Sequence, residues 1–370
     1  MKRVLITGGA GFIGSHAADA MLAAGYEVRL LDNLSPQVHG DRQGRPGYLT
    51  TEAELIIGDV TDSLAVEAAL RGVDKVLHLA SSVGVGQSMY DIESYVRTNE
   101  LGTAVLLQAL AKHPVERLVV ASSMSIYGEG LCVTPEGDEI SPRERSLEQL
   151  KRGEWELSYA LGRRLDPVPT PETKQPVLSS IYALNKYAQE RMSLIIGKAY
   201  GIPTVALRFF NVFGPNQALS NPYTGVLAIF AARLLNDRPP LVFEDGLQRR
   251  DFVHVHDVAR ACLLALDSSH SDEVFNIGSG QSRTILSVAR DLAQVMRRPA
   301  LAPRVTGKYR AGDIRHCFAD IGKSRDLLGF EPRVSFEEGL DGLSHYLAGQ
   351  IAHDQVEKAT NELLQRGLVA

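Results

Sequence analysis

Through the first half of the chain, short runs rich in branched apolar residues alternate with longer stretches of helical spacing. KRVLIT, EVRLLD, ELIIGD, DKVLHLA and ERLVVASS read as five strands. Between them HAADAMLAAG, SLAVEAALRG and residues 94–113 have the composition and spacing of helices. The strand runs are apolar throughout rather than alternating, which predicts burial on both faces. Strand and helix in turn then predict an α/β fold, a parallel sheet covered on both sides. A helix over 181–200 and the strand TVALRFF continue the pattern. It breaks between about 129 and 178, where TPEGDEISPRERSLEQLKRGEWELSY and RRLDPVPTPETKQP are polar, charged and proline-rich. That stretch predicts a surface excursion with one short helix near 146–152. Beyond 212 the elements become irregular, and the last 24 residues predict an amphipathic helix.

Composition narrows the function classes. The chain has 370 residues, a formal net charge of −5 and 22% charged residues, enough to bury a large core. Mild acidity without a basic run argues against nucleic acid as a partner. Cys132, Cys262 and Cys317 are far apart, odd in number and outside any CxxC spacing. A disulfide framework or a metal site is therefore not expected, and a reducing compartment is. No apolar run approaches the roughly 20 residues of a membrane span. The first strand begins at Lys2, which leaves no space for a signal peptide. A soluble cytoplasmic protein without a membrane partner is the expectation.

The first strand runs into TGGAGFIGSH, with Gly8, Gly11 and Gly14 three apart. A pyrophosphate site needs a tight turn, close backbone approach and close helix–strand packing, then a helix N-terminus that offers free N–H groups. Here the triplet follows a strand, opens a helix at Phe12, and is answered at the end of the second strand by Asp32, 18 residues past Gly14. A carboxylate there accepts hydrogen bonds from the adenosine ribose and repels a 2′-phosphate, favouring NAD over NADP. Asp59, after the third strand, either meets the adenine amino group or caps the next helix. The chain thus divides into a Rossmann-type NAD-binding domain over 1–211, carrying 129–178 as an extended insertion or lid. A smaller mixed lobe for the substrate follows over 212–345, its chain partly returning to the main sheet, and 346–370 forms the C-terminal helix.

SSIYALNKYAQE places Tyr182 and Lys186 four apart, on one face of a helix. A phenol titrates near about 10, too high for a base at neutral pH. A nearby lysine and a cationic nicotinamide both favour phenolate, and a drop of about three units corresponds to roughly 4 kcal/mol. Serines 122, 123 and 125 follow the fifth strand in SSMSIYG, with no carboxylate among them.

TGGAGFIG, HLA at 78–80, SSMSIYG, YALNK, RFFNVFGP and RRDFVHVHDV together resemble the extended short-chain dehydrogenase/reductase superfamily, in its nucleotide-sugar epimerase and dehydratase branch. The resemblance covers residues 1 to about 345 and leaves 129–178 unmatched. It implies a catalytic set of Ser123, Tyr182 and Lys186. It extends the NAD contacts to Phe12, Ile13, Asn33, Val60, Leu79, Ala80 and Ser81, and implies a homodimer through the helices 94–113 and 181–200. Dehydratases of this branch carry an acidic pair after the catalytic hydroxyl, where this chain has Met124 and Ser125. Without a carboxylic acid to protonate a leaving hydroxide, elimination lacks its general acid. The implied activity is 4-epimerisation of a UDP- or dTDP-hexose with tightly bound NAD. The alternatives are a 4-ketoreductase of a deoxysugar pathway, a 4,6-dehydratase, and a catalytically lapsed redox-sensing regulator, which the intact Tyr and Lys disfavour.

The resemblance also implies a sugar-nucleotide clamp of Ser125, Asn211, Val226, Phe243, Arg250, Arg310 and Asp313. Two guanidiniums suit a diphosphate because each grips two oxygens. Asp313 holds a ribose or closes a turn, Phe243 lies on a base or in the core, and Arg249 is solvated. His78, His254 and His256 read as structural. Val83 stands where related hexose epimerases have a basic residue, which suits a 6-deoxy sugar. Cys317 is the small residue expected to gate pocket size and admits a 2-acetamido sugar. Trp155, inside the insertion, reads as local packing.

Overall fold

The computed structural model describes residues 1–40, 44–159, 162–219, 221, 223, 225–310, 312–350, 352 and 354–370. The five strands read from the sequence are present as β1 (Arg3–Thr7), β2 (Glu27–Asp32), β3 (Glu54–Ile57), β4 (Lys75–His78) and β5 (Arg117–Ser123). TVALRFF supplies β6 (Thr204–Phe209), and Glu273–Ile277 returns to the same sheet as β7. The order is β7-β6-β5-β4-β1-β2-β3, every neighbouring pair parallel.

Successive residues of β1 enter opposite cores. Val4 and Ile6 pack with Ala17, Met21, Ala261 and Leu266, from the helices Phe12–Ala23 and Val255–Asp267. Leu5 packs with Val66, Leu106 and Leu110, from Ser63–Ala69 and Gly102–Lys112. Burial on both faces, worth about 1.5–3 kcal/mol for each large side chain, explains why these strands read as unbroken apolar runs. The strand order reverses between β1 and β4, which opens a crevice at their carboxyl ends. The register sets Thr7 beside His78 there, and Ser123 beside Phe209.

Residues 94–113 depart from the expected single α-helix. The helical run starts at Ile92, passes through a π-helical stretch over Val96–Leu101, and resumes as α over Gly102–Lys112. The wider turn leaves Asn99 fully buried, its Oδ1 accepting from Ser82 N (2.7 Å) and Ser81 Oγ (3.1 Å). Such stretches often mark functional sites.

The insertion is also more than a surface excursion. Its short helix is present at Leu147–Lys151. Around it, Cys132–Val133, Glu139–Ile140 and Asp166–Pro167 form a three-stranded sheet, and Cys132, Leu157 and Leu165 make a small core. Backbone bonds from Gly130 N to His316 O and from Thr170 N to Phe318 O join it to the substrate side. Polar composition concealed this because the segment satisfies itself with backbone and ion pairs rather than apolar area.

The substrate side has its own core between the helices Val226–Leu235, Ile285–Val295 and Phe336–Leu347. The single helix expected over 346–370 is replaced by the end of Phe336–Leu347 and a separate helix, Val356–Gln365. No helix among the described residues is long and apolar enough to cross a membrane.

Candidate active site

The glycine cradle forms as the spacing predicts. Gly8 has φ +67°, and a Cβ there would lie 2.9 Å from the Ala80 backbone. A Cβ at Gly14 would collide with the Gly8 carbonyl, so α-helix and loop touch through backbone alone. Gly11 is the N-cap of Phe12–Ala23 and makes no side-chain cap, which leaves the first-turn N–H groups to a ligand. Asp32 ends β2, its carboxylate accepting from Ala10 N (3.0 Å) and Leu34 N (2.9 Å). Asn33 Nδ2 donates to Asp59 (2.8 Å), and Thr61 N and Oγ1 donate to the same carboxylate. Capping of the next helix belongs instead to Asp62, which accepts from Leu64 N. Val60 is buried against Gly102. Leu79 N and Ala80 N donate to Thr7, which ties the loop after β4 to the cradle. Ser81 reaches Asn99. A flat cradle open to backbone approach, facing an acid at the end of β2, fits NAD.

Beside it, Ser123 caps the short 3-10 turn Met124–Tyr127, and its Oγ accepts from Ser125 N (3.2 Å) and Ser125 Oγ (3.0 Å). Tyr182 stands in the first turn of the helix Ile181–Tyr200 after the Ser180 cap, near enough to Ser123 for the hydroxyl to act on its phenol. Its backbone N–H donates to Ser88 Oγ (3.0 Å). Desolvation pushes the Tyr182 phenol up to about 12, with Ser123 acting the other way. Lys186, also buried, is pushed down to about 7 by desolvation. The expectation that the protein's own lysine favours phenolate is therefore not met by the polypeptide alone. Lys186 Nζ donates to Gln189 Oε1 (2.9 Å), one turn further along the helix.

Gln189 continues a buried chain that sequence reading did not identify. Its Nε2 donates to Thr103 Oγ1 (2.9 Å), which meets His78 Nε2 (2.9 Å), while His78 Nδ1 meets Thr7 Oγ1 (2.7 Å). Burial holds His78 down to about 3, so the ring is neutral, as a packed histidine should be. The only sequence signal for Gln189 was its i+3 spacing from Lys186. A second missed group anchors the helix: Glu190 accepts from Arg208 Nη2 (2.7 Å) and Nε (3.0 Å) and from Ser122 Oγ (2.6 Å). Tyr127 is fully buried and spent on Asn276 and Arg208.

The substrate-side candidates converge only in part. Asn211 pairs with Phe252, and Cys317 with Arg250, on neighbouring strands. Arg250 donates to the carbonyls of Ile314 and Arg315 and faces Asp313 at 3.6 Å. Asp313 closes a turn through Asp313 N to Arg310 O (3.3 Å), the second of its two readings. Arg310 lies over Phe243, 4.7 Å from the ring centroid, and Phe243 is half-buried. Arg310 Nε and Asn211 Oδ1 are buried without a partner, which suits groups set for a polar ligand. Val226 opens its helix, Val226–Leu235, and Arg249 is exposed. Cys317 does not gate an open space: it is 1% exposed and packs on Thr170 of the insertion. Trp155 contacts Tyr309 rather than only its own segment. His254 caps Val255–Asp267 and meets His256 edge-on, with 4.7 Å between ring centroids.

The insertion brings charges that sequence reading missed. Arg145 donates to Glu244 (2.8 Å) and to Asp313 O (2.8 Å). Arg315, fully buried, joins Glu244, Asp245 and Glu156. These long-range pairs sit beside Phe243 and Arg310. No cluster of three or more metal-ligating side chains exists among the described residues.

Comparison with known proteins agrees with this geometry. The model of the NAD dependent epimerase/dehydratase family matches residues 4–149 and 159–278. A dTDP-L-rhamnose 4-epimerase from Burkholderia thailandensis is 36% identical over 356 residues, 95% of this chain and 96% of that one. Among solved structures, a UDP-glucose 4-epimerase from Thermus thermophilus in complex with NAD superposes with a TM-score of 0.74 at 33% identity, covering 94% and 100% of the chains. A UDP-glucuronic acid 4-epimerase from Bacillus cereus, in complex with UDP-glucuronic acid and NAD, gives 0.75 at 26% identity, covering 94% and 99%. The chain belongs to the NAD-dependent epimerase/dehydratase family, whose cofactor is NAD.

Proposed function

From that membership we propose that the protein is an NAD-dependent nucleotide-sugar 4-epimerase acting on a dTDP- or UDP-hexose. The observation that carries the reading is the Ser123–Met124–Ser125 sequence at Tyr182, hydroxyls without a carboxylic acid to drive elimination. This disfavours the dehydratases among its relatives.

Bound NAD supplies the acceptor and donor of the C4 hydride. Tyr182 takes the C4 hydroxyl proton in the oxidation and gives it back in the reduction, with Ser123 and Ser125 holding the oxygen. The cationic ring, when bound, would supply positive charge that lowers the Tyr182 phenol, beside Lys186, which Gln189 anchors one turn along the helix. Asn211, Arg250 and Arg310 hold the nucleotide diphosphate, with Phe243 under the base, while Asp32 and Asn33 take the adenosine ribose. We read 1–211 as the cofactor part and 212–345 as the nucleotide-sugar part. The exposed apolar Val83 and Val85 beside the cleft favour a 6-deoxy sugar, in keeping with the rhamnose-specific name of one relative.

Proton NMR in D₂O with dTDP-L-rhamnose, UDP-glucose, UDP-N-acetylglucosamine and UDP-glucuronate tests this. Conversion of one to its 4-epimer, with no deuterium entering carbon and none after Tyr182→Phe, is expected. Deuterium at C5 or C6 would overturn it in favour of a dehydratase, and turnover only of a 4-keto sugar with added NADH in favour of a reductase.

We also infer a homodimer. Ile92, Val96 and Leu101 on one helical run, with Leu184 and Ile195 on the catalytic helix, are exposed apolar side chains. Leu101→Asp with Ile195→Asp should sediment as a monomer. An unchanged sedimentation coefficient would remove this face as the contact.

A further inference from the structure

The C-terminal helix Val356–Gln365 lies against the loop that carries the sugar-side residues after β4. Ala359 and Leu363 are buried. Leu363 stands 3.4 Å from where a Gly86 Cβ would be, so the missing side chain lets the helix rest on the turn Val85–Ser88. Above that contact, Tyr90 Oη donates to Tyr223 Oη (2.6 Å), and Tyr223 Oη donates to Glu362 Oε2 (2.9 Å). Arg366 covers the Tyr90 ring at 4.3 Å.

Each group held this way leads into the site. The Val85–Ser88 turn carries Ser88, the acceptor for Tyr182 N. Gln87 in the same turn accepts from Gln37 Nε2 (2.7 Å), on the cofactor side, and Gln37 also reaches Asn221 (3.3 Å). Tyr223 precedes Val226 by three residues. The last residues pair with the clamp: Tyr309 N donates to Ala370 O (2.9 Å), Ala370 N donates to Tyr309 O (3.1 Å), and Val369 bridges Arg310. One terminal segment therefore touches the sugar loop, the entry to the Val226 helix and the Tyr309–Arg310 backbone.

We propose that residues 356–370 are a working wall of the nucleotide-sugar site and that Glu362 is a positioning residue. Through Tyr223 and Tyr90 it holds loop 84–90 against the sugar, while the Tyr309–Ala370 pair holds Arg310 over Phe243. The proposal rests on the 4-epimerase reading. A carboxylate accepting a phenol hydrogen bond is a charge-assisted contact of the stronger kind, and it links segments more than 130 residues apart in sequence, which no local structure could hold together.

The test is calorimetric binding to the full-length protein loaded with NAD, using dTDP-L-rhamnose and UDP-glucose beside bare dTDP and UDP. Glu362→Gln and Tyr223→Phe are expected to weaken whichever sugar nucleotide the wild type binds by about tenfold. Bare diphosphate affinity and NAD content should stay unchanged, since the latch faces the sugar end. Equal sugar-nucleotide affinity in wild type and both variants overturns the proposal and leaves the epimerase reading intact. A parallel fall in bare diphosphate affinity also overturns it, assigning the contact to the fold as a whole rather than to the sugar end. A wild type that binds none of the four ligands overturns the epimerase reading together with the proposal.

Discussion

Lys186 is both buried and cationic at an ordinary lysine pKa, and the conflict has a measurable cost. Its pKa falls from 10.5 to about 7, chiefly through desolvation, with Glu190 opposing. At pH 7 the native lysine is half protonated and the unfolded one fully so, which costs roughly 4 kcal/mol of stability. The sign follows from proton counts. Between about pH 7 and 10.5 the unfolded chain binds more protons, so this term makes stability rise with pH through that window, and it vanishes above it. Lys186→Met removes the term but leaves Gln189 Oε1 without its donor, a loss of about 1–3 kcal/mol. The variant should therefore be more stable than wild type by about 2 kcal/mol at pH 7, and the advantage should disappear or reverse by pH 10. The faces around Lys186 carry Glu190, His78, which burial keeps neutral, and the Tyr182 phenol, which burial pushes up to about 12. Urea titrations of nucleotide-free protein at pH 7, 8.5 and 10 measure the difference. A variant less stable at pH 7, with a pH profile parallel to wild type, would refute the reasoning and mean that water or a nearby anion keeps the ammonium solvated. The same substitution should abolish epimerisation, so that stability and activity move in opposite directions at one residue.

Arg208→Leu should lower stability by about 3–5 kcal/mol, read as Tm, because it strands the Glu190 carboxylate in the core beside Ser122; a loss below about 1 kcal/mol would mean Glu190 takes up a proton at little cost. Glu156 is held down to about 2 by His316 and Arg315, so its contribution is present above the usual carboxylate pKa and is lost as pH falls through about 2. Fluorescence of Trp155, the single tryptophan, should report detachment of the insertion as pH falls from about 4.5 towards 2. Glu156→Gln should already show the detached signal at pH 7, and an unchanged spectrum would show that the Gly130 and Thr170 backbone bonds and the Arg145 contacts hold the segment without it.

Local rules read well wherever a side chain's role depends on near neighbours. The spacing of Gly8, Gly11 and Gly14 after an apolar strand, Asp32 at the end of the next, and Tyr182 four residues before Lys186 were legible because turn, helix start and helix face are determined within a few residues. The alternation of apolar runs and helices likewise predicted β1 to β6, since a two-sided parallel sheet demands it. The polar groups that fix the site were not legible. Gln189 meets His78 from 111 residues away, Arg315 meets Glu156 from 159, and Tyr90 meets Glu362 from 272. A buried charge or amide can be satisfied by any complementary group that folding brings near, and sequence spacing carries no record of which one arrives. Tyr182 shows the same division. Its place on the helix follows from five residues of sequence, while the height of its pKa is decided by the tertiary structure, through desolvation with Ser123 acting the other way.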